Sequence, residues 1–354
     1  MSRVAGAAKI PPVRTSMVTS ADGAAIHVEE YGPAGAPVVV LAHGWTCSTR
    51  FWDAQIRDLA ADHRVVVYDQ RGHGASPAPA PAGVGSGIGS GAAGVGTAGR
   101  GYSTEALADD LEAVLAVTLG PGERAVLVGH SMGGMTIMAA ARRPLLRQHA
   151  AAALLCSTGP ARLTAEALVV PLGPGGLRTR LTGAVLGAKA PLGPVTPVSR
   201  RILKYATMGP ASPPERVDAC ARLVHACPRG ARHGWSQVLA TLDLDAEVRE
   251  LRLPVSVVVG SDDRLTPPVH ARRLAAALPH CTGLTVLPGM GHMTPVEAPE
   301  AITGQIRELT LTYLGVKQGE RVEPGERDER SGAAAAVVDA GGDGDGRENE
   351  EAGA

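Results

Sequence analysis

The chain has 354 residues, of which 44% are hydrophobic and 19% charged, so it is long enough for one large domain or two ordinary ones with a sizeable core. A formal charge of −1 and only nine aromatic residues argue against nucleic-acid binding, which needs basic patches and stacking surfaces. Glycine (45) and proline (27) are abundant, but no strict Gly-X-Y repeat occurs, which excludes a collagen-like fibre.

The cysteine pattern and the apolar runs indicate in which compartment the protein is expected and which partners are not expected. Five cysteines without close pairing indicate a reducing compartment without a disulfide framework, and no CxxC or histidine-rich cluster points to a metal site. The N-terminus has no apolar stretch of signal-peptide length, and no run of about 18 apolar residues predicts a membrane span. These features lead us to expect a cytoplasmic protein. No G-x-G-x-x-G motif opens the first strand–helix unit, so dinucleotide binding has no support and we expect no cofactor.

Short apolar runs alternate with helical spacing along most of the chain. The patterns predict strands at residues 24–30 (after an Asp22-Gly23 turn), 38–42, 65–68, 125–129, 151–156, 255–260 and 283–287. They predict helices at residues 51–61, 104–119 (with Ser103 as N-cap), 132–143, 268–278 and 299–313. This alternation favours a mostly parallel sheet with helices on both faces.

Three segments interrupt the alternation. Residues 77–101 contain nine glycines and a single charge, which is typical of a low-complexity loop. Residues 158–240, with eleven Lys/Arg and three Asp/Glu, are helical and proline-punctuated and predict an inserted cap, or lid. Residues 317–354, with eleven acidic side chains, predict a disordered tail. The predicted organisation is an N-terminal extension (1–13), a first core part (14–157), the cap (158–240), a second core part (241–316) and the tail (317–354).

A serine lies where a buried strand is expected to turn sharply into a helix. The segment Gly129-His130-Ser131-Met132-Gly133 matches G-x-S-x-G, a pattern that on its own is weak in a glycine-rich chain. Its position between the apolar run 125–129 and a helix that begins with small residues supplies the strand–turn–helix context. The pattern therefore predicts a strained turn that exposes the Ser131 oxygen as a nucleophile beside backbone N–H groups.

A serine hydroxyl is a poor nucleophile without a base, and two later loops offer a base and an acid. His292 follows the predicted strand 283–287, and the adjacent Asp262 and Asp263 follow the predicted strand 255–260. Open α/β sheets place their sites at the carboxyl ends of the strands, so we expect Ser131, an aspartate and His292 to meet there. Their order along the chain is consistent with this arrangement.

Together, these segments resemble the α/β-hydrolase superfamily, in particular its capped branch of esterases, cofactor-free haloperoxidases and epoxide hydrolases. Four motifs carry the resemblance: His43-Gly44-Trp45, Asp69-Gln70-Arg71-Gly72-His73-Gly74-Ala75-Ser76, the Ser131 turn, and the paired Asp263 and His292 loops. The resemblance covers residues 24–314 apart from 77–101 and most of the cap. It implies an α/β-hydrolase fold, with a mostly parallel eight-stranded sheet, helices on both faces and an inserted helical cap.

The resemblance also implies roles for the matching residues. Ser131 would attack an acyl carbonyl, His292 would transfer the proton, and Asp263 would orient the imidazole. Asp263 is favoured over Asp262 because in similar sequences the acid stands three residues before a Thr-Pro pair. The N–H groups of Met132 and Trp45 would bind the developing oxyanion.

Four further residues are candidates for the pocket. His43 and His130 flank glycine turns and are favoured as structural residues, whereas Cys47 is expected to be an inert thiol. Trp235 fits either the pocket wall or an anchor for the cap. The basic cap fits a solvated surface, or attraction of an anionic substrate or a membrane surface.

The function expected from these residues is hydrolysis of a small-molecule carboxylic ester through an acyl-enzyme on Ser131. The same triad would serve a perhydrolase or cofactor-free haloperoxidase, a thioesterase or a carbon–carbon bond hydrolase, and these alternatives stay open. A ligand-binding protein with vestigial hydrolase activity is disfavoured, because binding alone needs no triad.

Overall fold

The computed structural model describes residues 10–79 and 101–315. The strands are β1 (Arg14–Thr19), β2 (Ala25–Tyr31), β3 (Val38–Ala42), β4 (Arg64–Tyr68), β5 (Ala125–His130), β6 (Ala150–Cys156), β7 (Val255–Gly260) and β8 (Cys281–Leu287). The helices are α1 (Asp53–Leu59, after a 3-10 turn at Thr49–Trp52), α2 (Thr104–Thr118), α3 (Met132–Ala139), α4 (Pro144–His149), α5 (Leu163–Glu166), α6 (Gly176–Leu186), α7 (Pro197–Thr207), α8 (Pro214–Ala226), α9 (Arg229–Ala240), α10 (Asp245–Glu250), α11 (Pro268–Ala277), α12 (Thr294–Glu297) and α13 (Pro299–Leu314). The predicted tail 317–354, most of the loop 77–101 and most of the N-terminal extension 1–13 lie outside the described residues.

The eight strands form one sheet in the order β1-β2-β4-β3-β5-β6-β7-β8. Strand β2 runs antiparallel to both of its neighbours, and all the other neighbouring strands are parallel. The predicted Asp22-Gly23 turn joins β1 to β2, with Gly23 at a φ of 85° that favours glycine. The sheet confirms the expected α/β-hydrolase fold, and its parallel strands bring the carboxyl ends of β5, β7 and β8 to one edge.

The central strands are buried on both faces, as their uninterrupted apolar sequences predict. In β3, Val38 and Val40 belong to the core on one face of the sheet, whereas Val39 and Leu41 belong to the core on the other. Helices α2, α3, α10 and α11 cover the first face, and α1 and α13 cover the second. Because both faces are covered, a strand without polar alternation is stable here.

Several elements differ from those expected. The helix predicted at 132–143 ends as α3 at Ala139. Arg143 is extended because the residue preceding a proline disfavours helical geometry, and Pro144 then opens α4. Strand β1 lies at the sheet edge with mostly exposed side chains, so no apolar pattern marks it. Helix α10 has only six residues, too few for a helical period to stand out.

Five helices, α5 to α9, lie within the predicted cap segment 158–240, between β6 and β7. Thr196 and Ser199 form a capping box that opens α7, each side chain accepting a hydrogen bond from the other residue's backbone N–H. Large apolar side chains of α6 and α7 remain exposed, including Val185 and Ile202. Within residues 10–79 and 101–315, no helix combines the length and apolar character needed to cross a bilayer.

Candidate active site

Ser131 occupies a strained turn between β5 and α3. Its φ of 53° and ψ of −117° lie where side chains other than glycine are rarely found. A Cβ on Gly129 would stand 2.5 Å from the carbonyl oxygen of Gly133, and a Cβ on Gly133 would collide with the carbonyl oxygen of Ala42 in β3. The two glycines therefore let β5, α3 and β3 approach closely enough to hold Ser131 in this geometry.

Asp263 and His292 form a buried pair at the ends of β7 and β8. The Nδ1 atom of His292 lies 2.9 Å from Oδ2 and 3.1 Å from Oδ1 of Asp263, and both side chains are at most 4% exposed. Since a carboxylate only accepts hydrogen bonds, Nδ1 carries the proton and donates it to Asp263. The Nε2 atom is then left with a free lone pair, which is the state that a general base requires.

The Asp263 carboxylate is held by its own loop. Its Oδ1 atom accepts hydrogen bonds from the N–H groups of Leu265 and Thr266, each at 2.9 Å, and Oδ2 accepts one from the Thr266 hydroxyl at 2.9 Å. Asp262 points elsewhere and accepts a hydrogen bond from the Ser261 hydroxyl at 2.8 Å. Of the two adjacent aspartates, Asp263 is therefore the one that contacts His292.

Ser131 and His292 line the same cavity, but no hydrogen bond joins their side chains in the described part of the chain. Such contacts are often long in a protein without substrate and shorten when one binds. His130 fixes the neighbouring loop, since its Nε2–H donates to the His292 carbonyl oxygen at 2.9 Å and the two rings lie 4.9 Å apart. Burial holds the pKa of His130 well below its usual value, so the ring is neutral.

Two backbone N–H groups are free beside Ser131. Among the described residues, neither the N–H of Met132, at the start of α3, nor that of Trp45 donates a hydrogen bond. The Trp45 ring meanwhile contacts the cap, because its Nε1–H donates to the carbonyl oxygen of Arg232 in α9 at 3.1 Å. Two unpaired backbone donors beside a serine hydroxyl match the requirement of an oxyanion-binding site.

The cavity shared by Ser131 and His292 has a volume of about 530 Å³ and lies between the sheet and the cap. Its walls are mostly apolar cap residues such as Leu186, Ile202 and Leu239. Within the described residues, no Asp or Glu lines it, and Arg232 is the one Lys or Arg that does. A largely apolar cavity of this size with a few polar groups suits a small organic ligand.

Three of the candidate pocket residues do not line this cavity within the described part of the chain. His43 is fully buried, its Nδ1–H donating to the Gly44 carbonyl oxygen at 2.8 Å, and burial lowers its pKa to about 4. Cys47 packs in the core, where burial raises the pKa of its thiol and keeps it unreactive. Trp235 is fully buried and donates its Nε1–H to the Arg71 carbonyl oxygen at 3.0 Å, so it anchors the cap to the sheet-side loop. His130 and Trp45 do line the cavity.

The sequence analysis missed Glu297, a buried carboxylate that holds the His292 loop. It accepts hydrogen bonds from the N–H groups of Gly291 and Met293, the two neighbours of His292, at 3.1 Å. It also accepts, at 2.6 Å, from the N–H of Gly209 and the hydroxyl of Ser212, between α7 and α8 of the cap. An acidic residue in the first turn of a helix that follows a functional loop is the signal that points to such a role.

No group of three or more His, Cys, Asp or Glu side chains within residues 10–79 and 101–315 is arranged to hold a metal ion. Thr266, also missed from the sequence, completes the polar surroundings of the histidine, with its hydroxyl 3.2 Å from His292 Nδ1. The described residues bring a hydroxyl, an imidazole–carboxylate pair and backbone N–H donors together at the cavity.

Comparison with known proteins places the chain in a family. A model of the alpha/beta hydrolase family matches residues 39–304. The chain is 30% identical over 275 residues to a protein named as a candidate carbamate hydrolase, RutD of Variovorax paradoxus (strain S110), with 75% of this chain and 89% of that protein covered. It is 26% identical over 298 residues to the bifunctional esterase/perhydrolase DCH of Acinetobacter calcoaceticus, with 80% and 95% covered. The crystal structure of the esterase RhEst1 from Rhodococcus sp. ECU1013 shares the fold, with a TM-score of 0.65, 23% identity and coverage of 84% of this chain and 99% of that one. The chain therefore belongs to the alpha/beta hydrolase family and is a hydrolase.

Proposed function

We propose that the protein hydrolyses small carboxylic esters through an acyl-enzyme on Ser131. The observation that carries the proposal is the buried Asp263–His292 pair, whose imidazole lines the same cavity as Ser131 at its strained turn. The position of each group after a different strand of one parallel sheet supports the same reading.

In the first half of the reaction, the Ser131 oxygen attacks the ester carbonyl carbon while Nε2 of His292 takes the hydroxyl proton. The carbonyl oxygen gains negative charge and accepts hydrogen bonds from the N–H groups of Met132 and Trp45. Asp263 stabilises the imidazolium that forms. The carbon–oxygen bond to the alcohol then breaks, and His292 returns its proton to the departing alkoxide.

In the second half, water takes the place of the alcohol. His292 accepts a proton from the water as its oxygen attacks the acyl carbon, and the bond to Ser131 breaks as the serine oxygen regains a proton. The products are a carboxylic acid and an alcohol, and the resting protein is restored. Each step uses the same N–H donors, so their loss should slow both halves.

Two relatives suggest reactions that differ from ester hydrolysis in a single reactant, either the acceptor of the acyl group or the substrate carbonyl. One is named for esterase and perhydrolase activities, so hydrogen peroxide in place of water is the second candidate function, with a peracid as product. Another carries a carbamate hydrolase name, so a carbamate carbonyl is a further substrate to assay. The triad also suits thioesters and activated carbon–carbon bonds.

The test is hydrolysis of p-nitrophenyl esters of increasing acyl length by the full chain. We expect Ser131→Ala to lower kcat at least about 10⁴-fold, because a triad serine is essential to the acyl-enzyme. Ser236→Ala is the matched control, since Ser236 also lines the cavity but donates its hydroxyl to the His233 carbonyl oxygen at 2.7 Å. Full activity in Ser131→Ala would refute the proposal.

The expected setting is the cytoplasm, with a small molecule as the partner. All five cysteines are free thiols, and Cys47 and Cys156 are fully enclosed, which suits a reducing compartment. Fractionation of the source cells, followed by detection of the protein in the cytosolic or the membrane fraction, tests this location.

A further inference from the structure

The cavity contains a buried cation for which the described chain provides no counter-ion. Arg232, on α9, lines the cavity and is only 7% exposed. One of its terminal nitrogens donates to the carbonyl oxygen of Ala190, another cavity residue. No ion pair among the described residues includes Arg232. A buried guanidinium with spare donors favours an anionic partner, because an unpaired buried charge is costly.

Several other arginines of the described chain have acidic partners. Arg200 and Arg222 both pair with Asp218, and Arg162 lies 3.5 Å from Glu166. Arg71, the most deeply buried arginine of the sheet side, is satisfied by the carboxylates of Asp110 and Asp22. Arg178 is also buried without an ion pair among the described residues, but it donates to the carbonyl oxygen of Ala165 at 3.0 Å and does not line the cavity, so Arg232 is the buried cap arginine that a ligand in the cavity can reach.

Arg232 lies next to the proposed reaction centre. Its carbonyl oxygen accepts a hydrogen bond from the ring of Trp45, and the backbone N–H of Trp45 is the proposed oxyanion donor. The main chain of Arg232 is therefore joined to the residue of a proposed oxyanion donor, and Arg232 lines the same cavity as Ser131.

Building on the proposed esterase function, we propose that Arg232 selects esters that carry a carboxylate. A single guanidinium matches a single negative charge and binds a carboxylate through two parallel hydrogen bonds. A phosphate dianion would need further cations, and within the described residues no other Lys or Arg lines the cavity. The absence of Asp and Glu from the same lining removes repulsion of a bound anion.

The test compares charged esters with neutral esters of the same shape. Monoethyl glutarate is paired with ethyl 5-methylhexanoate, and 4-acetoxybutanoate with 4-methylpentyl acetate, which places the carboxylate on the acyl or the alcohol side. We expect the charged member of at least one pair to have a kcat/KM about tenfold higher or more, as a charge-assisted hydrogen bond allows. The Arg232→Gln variant should lose this advantage while still hydrolysing the neutral ester.

Three variants make the test specific. Arg232→Lys keeps the charge and should retain part of the preference even if Arg232→Gln folds poorly. Arg229→Gln removes an exposed cation from the same helix, and Arg178→Gln removes a buried cap arginine that does not line the cavity. Both should keep the full preference for the charged ester. A preference that disappears equally in all of them would overturn the local role of Arg232.

A binding measurement separates this proposal from the proposed function. Glutarate, added to the Ser131→Ala variant, should raise its Tm, and the double variant with Arg232→Gln should show no such shift. Neutral esters hydrolysed as fast as charged ones, with no glutarate shift, would overturn the carboxylate site while leaving the esterase intact. Absence of all Ser131-dependent hydrolysis, with an Arg232-dependent glutarate shift, would overturn the esterase and support the site.

Discussion

The two sides of the cavity are built by different means. On the sheet side, backbone positions the reactive groups: Gly133 fits against β3 only without a Cβ, and the Asp263 carboxylate has its acceptors filled by its own loop. On the cap side, apolar side chains form the wall, and some, such as Val185 and Ile202, are partly open to solvent. The reactive groups are therefore held by close backbone packing, whereas the substrate wall is shaped by apolar side chains of the cap.

Glu297 and Trp235 connect the two sides. Glu297 accepts hydrogen bonds from the His292 loop and from the α7–α8 connection, and Trp235 ties α9 to the Arg71 loop. Glu297 and Trp235 are both buried, so they hold the cap in contact with the sheet side close to the reactive groups. Other cap side chains, such as Val185 and Ile202, are exposed.

We expect the largest effect on activity from replacing Asp263, the carboxylate on the sheet side of the cavity. Asp263→Asn removes the charge that stabilises the imidazolium and disturbs the proton on Nδ1, so kcat for a p-nitrophenyl ester should fall about 10⁴-fold. Steady-state kinetics at constant pH measure the loss. Asp262→Asn alters the neighbouring, less buried carboxylate and should leave kcat within about twofold of the parent. Equal losses in the two variants would contradict the assignment of Asp263.

Low pH should lower the stability of the folded protein, because buried histidines lie on the sheet side of the cavity. Burial lowers the pKa of His43 to about 4 and that of His73 to about 3, and holds the pKa of His130 well below its ordinary value. Unfolded histidines titrate near a pKa of about 6.5, so the unfolded state gains these protons first as the pH falls. The stability that these neutral histidines contribute is therefore fully present above a pH of about 6.5. It declines as the pH falls below that value, by about 1 kcal/mol per histidine at about pH 5.5.

Urea unfolding at about pH 7.5 and about pH 5.5 measures this decline as a lower midpoint at the acid pH. His225→Gln alters a partly exposed histidine of the cap and should leave the difference between the two midpoints unchanged. Identical stability of the parent protein at both pH values would show that the buried histidines do not titrate as described.

Close packing at the serine turn should be intolerant of a single methyl group. Gly133→Ala places a Cβ against the carbonyl oxygens of Ala42 and His43 and should lower the free energy of unfolding by roughly 1–3 kcal/mol. Gly304→Ala is the matched control in α13, where a Cβ meets nothing within 4 Å, and should be neutral or stabilising. Chemical denaturation of both variants measures their free energies of unfolding. Equal stability of Gly133→Ala and the parent protein would contradict the packing argument.

The smallest effect is expected where the two sides join. Glu297→Gln keeps the shape but weakens the acceptor for the Gly291 and Met293 N–H groups, so the His292 ring should be less well positioned. We expect kcat to fall about tenfold with KM nearly unchanged, because the ring contributes mainly in the transition state. Glu300→Gln, an exposed change in the next helix, should alter neither constant. A rise in KM alone would indicate a cap effect.

The sheet side is also the part that the sequence predicted best. The strand–turn–helix context of Ser131 and the positions of Asp263 and His292 follow from short apolar runs and loop residues, since parallel strands must end together. The cap residues gave no comparable signal: its helices pack through scattered apolar side chains, and the anchoring role of Trp235 depends on a partner 164 positions away. The roles of Glu297 and Thr266 were missed because the contacts of Glu297 with Gly209 and of Thr266 with His292 join segments that only the fold brings together.

The most direct test of the central claim is a crystal structure of the protein after reaction with a fluorophosphonate ester, which mimics the tetrahedral intermediate. We predict phosphorus bonded to Ser131 Oγ, its phosphoryl oxygen within hydrogen-bond distance of the Met132 and Trp45 N–H groups, and His292 Nε2 in contact with an oxygen on phosphorus. An adduct on another residue, or an unmodified Ser131 with the imidazole turned away, would contradict the account.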